Sequence, residues 1–220
     1  MNQLVIIGGQ VHVTPLLNDF FRQERFDRVI AADSGREWAR RLSICPDLML
    51  GDFDSVSPET LQYFRAQSIP ERQYEARKDF TDSELALWAA LDEAGPGDTL
   101  WMLGGIGSRL DHTLANVFLL YEPLKRGVRA GMLDGHNEVR LIQGPASLEL
   151  TRREAQPYVS LLPFLGEASG IDLEGMAYPL QDYTLRPGKS IGISNEVSGE
   201  RATIRLRQGY LLVMRSCDTN

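Results

Sequence analysis

Four stretches of the 220-residue chain place carboxylates or glycines directly after an apolar run. They are Ala31-Ala32-Asp33-Ser34-Gly35, Gly51-Asp52-Phe53-Asp54-Ser55, Lys78-Asp79-Phe80-Thr81-Asp82, and Gly104-Gly105-Ile106-Gly107-Ser108-Arg109-Leu110-Asp111-His112. Mg²⁺ binds carboxylate oxygens together with phosphates. Phosphates bind backbone N–H groups, Arg and Lys. Brought together, the four stretches would suit a metal–nucleotide complex.

Each stretch also has a plain structural use. Asp52 and Asp54 stand two apart, so in an extended segment both carboxylates face one side and can share a cation, with Phe53 turned to apolar packing. Asp and Gly equally favour a solvated turn. The same Asp-x-Asp pattern serves nucleotide-sugar glycosyltransferases and does not fix a reaction. Asp79 and Asp82 lie at a helix start, where Thr81 and Glu84 have capping-box spacing and acids suit the helix dipole. Together with Asp52 and Asp54, however, they make four carboxylates that would repel strongly unless a divalent cation offsets them. The Gly104–His112 loop lets phosphate oxygens approach backbone N–H groups, and Arg109 can clamp a phosphate through two hydrogen bonds. Read as structure alone, it is a tight strand-to-helix turn with Asp111 as N-cap and His112 packed or capping. No Gly-Lys-Ser/Thr follows, so it is not a Walker A loop. Finally, Gly192-Ile193-Ser194-Asn195-Glu196 offers a hydroxyl, an amide and a carboxylate in a row, which a polar hairpin turn explains equally well.

The elements that must position these residues alternate. Apolar runs at Leu4–Ile7, Arg28–Ala32, Asp47–Leu50, Thr99–Leu103 and Arg129–Leu133 read as strands, with a short extended run near Ile69–Tyr74. Helical spacing is expected over Pro15–Arg25, Arg36–Leu42, a segment opened by Ser57-Pro58-Glu59, Ser83–Ala94, and one long helix over Leu110–Arg126. Strands separated by helices predict a mostly parallel, Rossmann-like α/β sheet with helices on both faces. In such sheets ligands sit outside the carboxyl ends of the strands, where the four stretches would converge. From Glu138 the pattern becomes short β-like runs: Glu138–Ile142, Ser147–Leu150, Tyr158–Pro163, Ser190–Ser194, Ala202–Leu206 and Leu211–Arg215. These predict an all-β sandwich or barrel. Two domains are expected, 1–137 and 138–220.

Composition narrows the class. A hydrophobic fraction of 43% is ordinary for a globular protein, and a net charge of −7 argues against nucleic acid as a partner. Cys45 and Cys217 match no metal spacing; two free thiols in a reducing cytosol are the expectation, one disulfide the alternative. No run approaches a membrane span or a signal-peptide core, so a cytoplasmic protein is expected.

The ordered set of these motifs, with Ser194-Asn195-Glu196 and the closing Gly209-Tyr210-Leu211-Leu212-Val213-Met214-Arg215-Ser216, resembles the bacterial thiamine pyrophosphokinases. The resemblance spans nearly the whole chain. It implies an ATP-binding α/β domain, a thiamine-binding β-sandwich, and a homodimer with its active sites between subunits. It implies Mg²⁺ on Asp52, Asp54 and Asp82, with Asp79 and Arg109 also in the catalytic set. For ATP it implies Asp33, Ser34, Gly35, Lys78, Gly104, Gly105, Gly107, Arg109, Asp111 and His112; for thiamine, Asp82, Ser194 and Asn195. The chain departs from the family pattern at Ser34 and Ser108, where glycine is common. All three tryptophans, Trp38, Trp88 and Trp101, lie in the first domain. The reaction implied is diphosphoryl transfer from ATP to the thiamine hydroxyl, releasing AMP. Weighed against it are a hydroxymethyl-pterin pyrophosphokinase, a metal-dependent glycosyltransferase and a non-enzymatic ligand sensor.

Overall fold

The computed structural model describes residues 1–51, 56–73 and 79–218. Asp52, Asp54 and Lys78 therefore lie outside the described residues. The chain divides into two compact units, Met1–Gly135 and His136–Asn220.

The first unit runs β1 (Asn2–Ile6), α1 (Pro15–Gln23), β2 (Arg28–Ala32), α2 (Gly35–Arg41), β3 (Leu48–Gly51), α3 (Pro58–Arg65), β4 (Glu71–Gln73), α4 (Asp82–Leu91), β5 (Thr99–Leu103), α5 (Leu110–Leu119), α6 (Tyr121–Lys125) and β6 (Arg129–Leu133). Its strands lie in the order β4-β3-β2-β1-β5-β6, and every pairing is parallel. The alternation along β1 shows that both faces are covered. Leu4 and Ile6 pack with Leu17, Ala39 and Phe64 from the first three helices. Gln3, pointing the other way, is buried and donates from Nε2 to the Ala90 carbonyl of α4 at 2.9 Å. The chain crosses from edge strand β4 through α4 to β5, on the far side of β1. The switch point of the sheet therefore falls between β1 and β5, where such folds open a crevice.

Helix starts follow their caps. Ser57 accepts from the Thr60 N–H at 3.3 Å, with Pro58 at the first helical position. Thr81 accepts from the Glu84 N–H at 3.2 Å, half of the expected capping box. The long helix expected over Leu110–Arg126 is instead two. It breaks at Leu120, whose N–H turns to the Val117 carbonyl. Pro123 has no N–H for a continuing helix and is tolerated only because it falls in the first turn of α6.

The second unit is all β: β7 (Glu138–Gln143), β8 (Ala146–Thr151), β9 (Tyr158–Glu174), β10 (Tyr183–Leu185), β11 (Asn195–Glu196), β12 (Arg201–Leu206) and β13 (Gln208–Ser216). Among the described residues its strand pairings are antiparallel. The first half of β9 pairs with β13 and β11, and its second half with β12 and β10. Leu165 at φ 55° and Gly166 at φ 130° bend the strand between the halves. One strand thus serves two layers, which close on Val159, Leu161, Ile171, Ile204, Leu211 and Val213. The strand expected over Ser190–Ser194 is a turn, and β11 begins only at Asn195. Ser194 itself sits at φ 55°, outside strand geometry. Cys45 and Cys217 are both free thiols. Among the described residues no helix is long and apolar enough to cross a membrane.

Candidate active site

The switch point holds a cavity of about 310 Å³. Three strand ends open onto it. After β1, Ile7, Gly8 and Gly9 form one wall; after β2, Asp33 and Ser34 form a second; after β5, Gly104, Gly105, Gly107 and Ser108 form a third. The N-termini of two helices complete the lining, with Thr81, Asp82 and Ser83 at α4 and Arg109, His112 and Asn116 at α5. Helix N-termini carry partial positive charge and free N–H groups, which suit an anion.

Backbone contacts explain two of the glycines. A Cβ on Gly35 would lie 2.2 Å from the Ile6 carbonyl oxygen, so no larger residue lets α2 start this close to β1. Gly104 has φ 77°, and a Cβ there would lie 2.4 Å from the Ile7 carbonyl oxygen. The loops after β1 and β5 are also tied backbone to backbone, Gly9 N–H to the Gly104 carbonyl at 2.9 Å and Gln10 N–H to the Ile106 carbonyl at 2.8 Å.

Side chains from elsewhere brace these loops. Trp38 Nε1 donates to the Gly9 carbonyl at 2.9 Å. Buried Asn116 donates from Nδ2 to the Gly105 carbonyl at 2.8 Å. The Thr113 hydroxyl accepts from the Gly107 N–H at 3.1 Å and lies 3.2 Å from the Arg109 carbonyl. No local sequence motif marks these three, because each acts on a loop through tertiary or helix-turn spacing. Gly8 and Gly9 belong to none of the four stretches singled out in the sequence. Their position after the first strand of a parallel sheet was the signal that could have found them.

Of the expected site residues, Asp33, Ser34, Asp82, Gly104, Gly105, Gly107, Arg109 and His112 all line this one cavity. Gly35 is buried behind it as a packing residue. Asp79 is exposed and Asp111 is exposed, and neither is among the described lining residues. Asp111 is not the N-cap of α5; that position is Arg109, and Asp111 falls within the first turn. Asp111 instead receives the Arg109 guanidinium in a fork, Nη2 to Oδ2 at 2.6 Å and Nε to Oδ1 at 3.2 Å. That fork, helped by the His112 N–H, holds the Asp111 carboxyl down to about 2. Asp111 is thereby placed to aim Arg109.

Asp82 stands partly exposed at the start of α4. A carboxylate oxygen is the hard donor that Mg²⁺ takes, so the group fits a magnesium site. β3 ends at Gly51, at the same carboxyl edge as Asp33, whose N–H donates to the Leu50 carbonyl at 3.0 Å; Asp52 and Asp54 come next in sequence and lie outside the described residues. Among the described residues no cluster of three or more His, Cys, Asp or Glu makes a metal site.

In the second unit, Ser194 is exposed and Asn195 is only 4% exposed. The Asn195 side chain is already engaged with backbone. Its Oδ1 accepts from the Tyr178 N–H at 3.0 Å and the Glu196 N–H at 2.9 Å, and its Nδ2 donates to the Tyr178 carbonyl at 2.7 Å. It is a bracket between two chain segments.

Comparison with known proteins gives one family. Residues 22–132 match the model of the thiamin pyrophosphokinase catalytic domain, and residues 147–211 that of the thiamin pyrophosphokinase vitamin B1 binding domain. The curated thiamine pyrophosphokinase of Bacillus subtilis (strain 168) is 29% identical over 214 residues, 97% of this chain and 98% of its own. A crystal structure of thiamine pyrophosphokinase from Bacillus subtilis matches at TM-score 0.88 and 28% identity, covering 100% of both chains. One of thiamin pyrophosphokinase from Geobacillus thermodenitrificans matches at TM-score 0.83 and 26% identity, covering 100% of this chain and 99% of that one.

Proposed function

This chain belongs to the thiamin pyrophosphokinase family, and from that membership we infer that it is a thiamine pyrophosphokinase, an enzyme that uses ATP as co-substrate to convert thiamine to thiamine diphosphate. The observation that carries this is the pair of family domains in order on one chain, the catalytic one including Asp82, Arg109 and the cavity glycines Gly104, Gly105 and Gly107. The pterin pyrophosphokinase, glycosyltransferase and sensor readings have no support in the comparisons.

The reaction joins the thiamine hydroxyl oxygen to the β-phosphorus of ATP. The bond from that phosphorus to the α–β bridging oxygen breaks, and AMP leaves with the bridging oxygen. The glycine-lined wall and the α4 and α5 N-termini support a polyphosphate seat, with backbone N–H groups facing the anion. Arg109, aimed by Asp111, and Lys78 would set positive charge against the phosphates. Asp52, Asp54 and Asp82 are assigned to Mg²⁺, which when bound supplies charge neutralisation for the polyphosphate. Asp79, three residues before Asp82, is assigned as the group that takes the thiamine hydroxyl proton. An Asp79→Asn enzyme with near-normal turnover would remove that assignment. Thiamine is assigned to Asp82 and, through the segment that Asn195 holds, to the second unit.

A homodimer with active sites at the subunit interface is part of the same reading. Leu110, Leu114 and Phe118, at successive i+4 positions of α5, are 69%, 50% and 55% exposed, an apolar stripe that a second subunit would cover. Light scattering that gives a monomer mass at assay concentration would contradict it.

The test is product identification. The enzyme is incubated with ATP, Mg²⁺ and either thiamine or a hydroxymethyl-pterin, and the organic product is weighed by mass spectrometry. A diphosphate gained by thiamine alone is the expected result. A diphosphate gained by the pterin alone would overturn the acceptor, and none on either would overturn the activity.

A further inference from the structure

The unit His136–Asn220 has a cavity of its own, about 310 Å³, that shares no described lining residue with the one in the first unit. Arg152, Arg153 and Arg215 line it, with Glu154 and Glu196. Arg215 stands on β13 opposite Glu138 of β7 and is 3% exposed. A guanidinium has five N–H donors. Here Nη1 donates to the Thr151 carbonyl at 2.8 Å and Nη2 reaches the Gln156 carbonyl only at 3.5 Å. Nε is buried and has no hydrogen-bond partner among the described residues.

Nearby negative charge is already divided. Glu138 Oε1 accepts from Arg140 Nε at 2.7 Å, and Oε2 accepts from Arg153 Nη1 at 2.6 Å. Both Glu138 oxygens are thus engaged by Arg140 and Arg153, Arg215 has no ion pair of its own among the described residues, and Arg152 adds a further cation at the wall. Burial pulls the Arg215 pKa down to about 10, and repulsion from Arg153 adds to the fall. Unmatched buried charge is costly, and an anion arriving in the cavity would offset it. Glu154, Glu196 and Arg152 are all exposed, where water screens them, so the unmatched charge is that of the buried Arg215. The planar guanidinium fork also fits the oxygens of a phosphate.

We propose that this cavity is a binding site for a small phosphate-type oxyanion, gripped by Arg152 and Arg153 and held in the field of Arg215. The ion has two sources, free phosphate or diphosphate, and the diphosphate end of an ester such as the reaction product. The site does not depend on the assigned activity, so its test is separable from the product assay.

Thermal unfolding of the full chain is followed as inorganic phosphate, and then inorganic diphosphate, is titrated at constant ionic strength. The expected result is a saturable rise of about 3 °C at roughly tenfold over Kd. Arg152→Glu, an exposed position, should keep the basal melting temperature and lose the rise. No saturable rise in the wild type overturns the proposal. So does a rise that survives Arg152→Glu, since it would report the cavity of the first unit. A second measurement needs no variant: in ¹⁵N-resolved NMR of the wild type, the Arg215 Nε–H cross-peak should move with phosphate to a plateau, and a stationary peak overturns the site. Competition by thiamine diphosphate for that plateau identifies the ester as the source. Its failure to compete identifies the free ion, and the oxyanion site stands in both cases.

Discussion

In the first unit the polar residues that follow the strands face a cavity, and Asp33, Asp82 and Arg109 all line it. In the second, the polar run Ser194-Asn195-Glu196 is turned partly inward, and the Asn195 amide is occupied by the backbone of Tyr178 and Glu196. The difference follows from sheet type. Parallel strands send their loops to one edge, so side chains from several loops gather around one crevice there. Antiparallel strands and long turns must satisfy buried backbone locally, and a buried asparagine does that work. A polar residue in a motif thus faces a cavity in one unit and braces backbone in the other.

This contrast can be broken at four places. The largest effect is expected at Asp82. Asp82→Asn should lower kcat by about 10²–10³-fold while the unfolding midpoint stays near wild type. A change in stability without a change in rate would make Asp82 a capping residue only. Asn195→Ala should do the opposite. It strands the Tyr178 N–H and carbonyl, so urea unfolding should show a loss of about 2–3 kcal/mol, with KM for thiamine rising and kcat nearly kept. A kcat collapse at full stability would put Asn195 among the reacting groups. Thr113→Val removes the hydroxyl that ties the Gly107 N–H, and KM for ATP should rise about 5–10-fold.

The smallest effect concerns Asp111. Its carboxyl is depressed in the folded protein, so the Arg109 pair contributes above the ordinary value of 3.8 and is lost as pH falls through about 2. A carboxyl titration by ¹³C NMR should show that midpoint, and the pair should give no rate dependence between pH 5 and pH 9. A midpoint near 3.8 would mean that Arg109 is not held.

Much of the fold was legible because buried parallel strands are continuous apolar runs, and the helices between them carry Ser57-Pro58 and Thr81-x-x-Glu84 starts. Asp33, Asp82 and the glycines after β5 were legible because they sit in the motifs next to those strands and helices in sequence. What escaped depends on distance or on local competition. Trp38 braces Gly9 across 29 positions, and no short window holds both. Pro123 splits a helix whose apolar spacing runs on past it. The strand expected at Ser190–Ser194 has the right residues for a strand, but Ser194 has a positive φ and the pairing starts one residue later. β9 continues well past Pro163 because Leu165 and Gly166 bend it from one layer to the next, where the sequence shows only an interruption.

The most direct test of the account is a ³¹P NMR time course of the enzyme with ATP, thiamine and Mg²⁺. AMP and thiamine diphosphate should rise one for one, and neither should form without thiamine. ADP as the accompanying product would mean attack at the γ-phosphorus, and inorganic diphosphate would mean attack at the α-phosphorus; each would contradict diphosphoryl transfer.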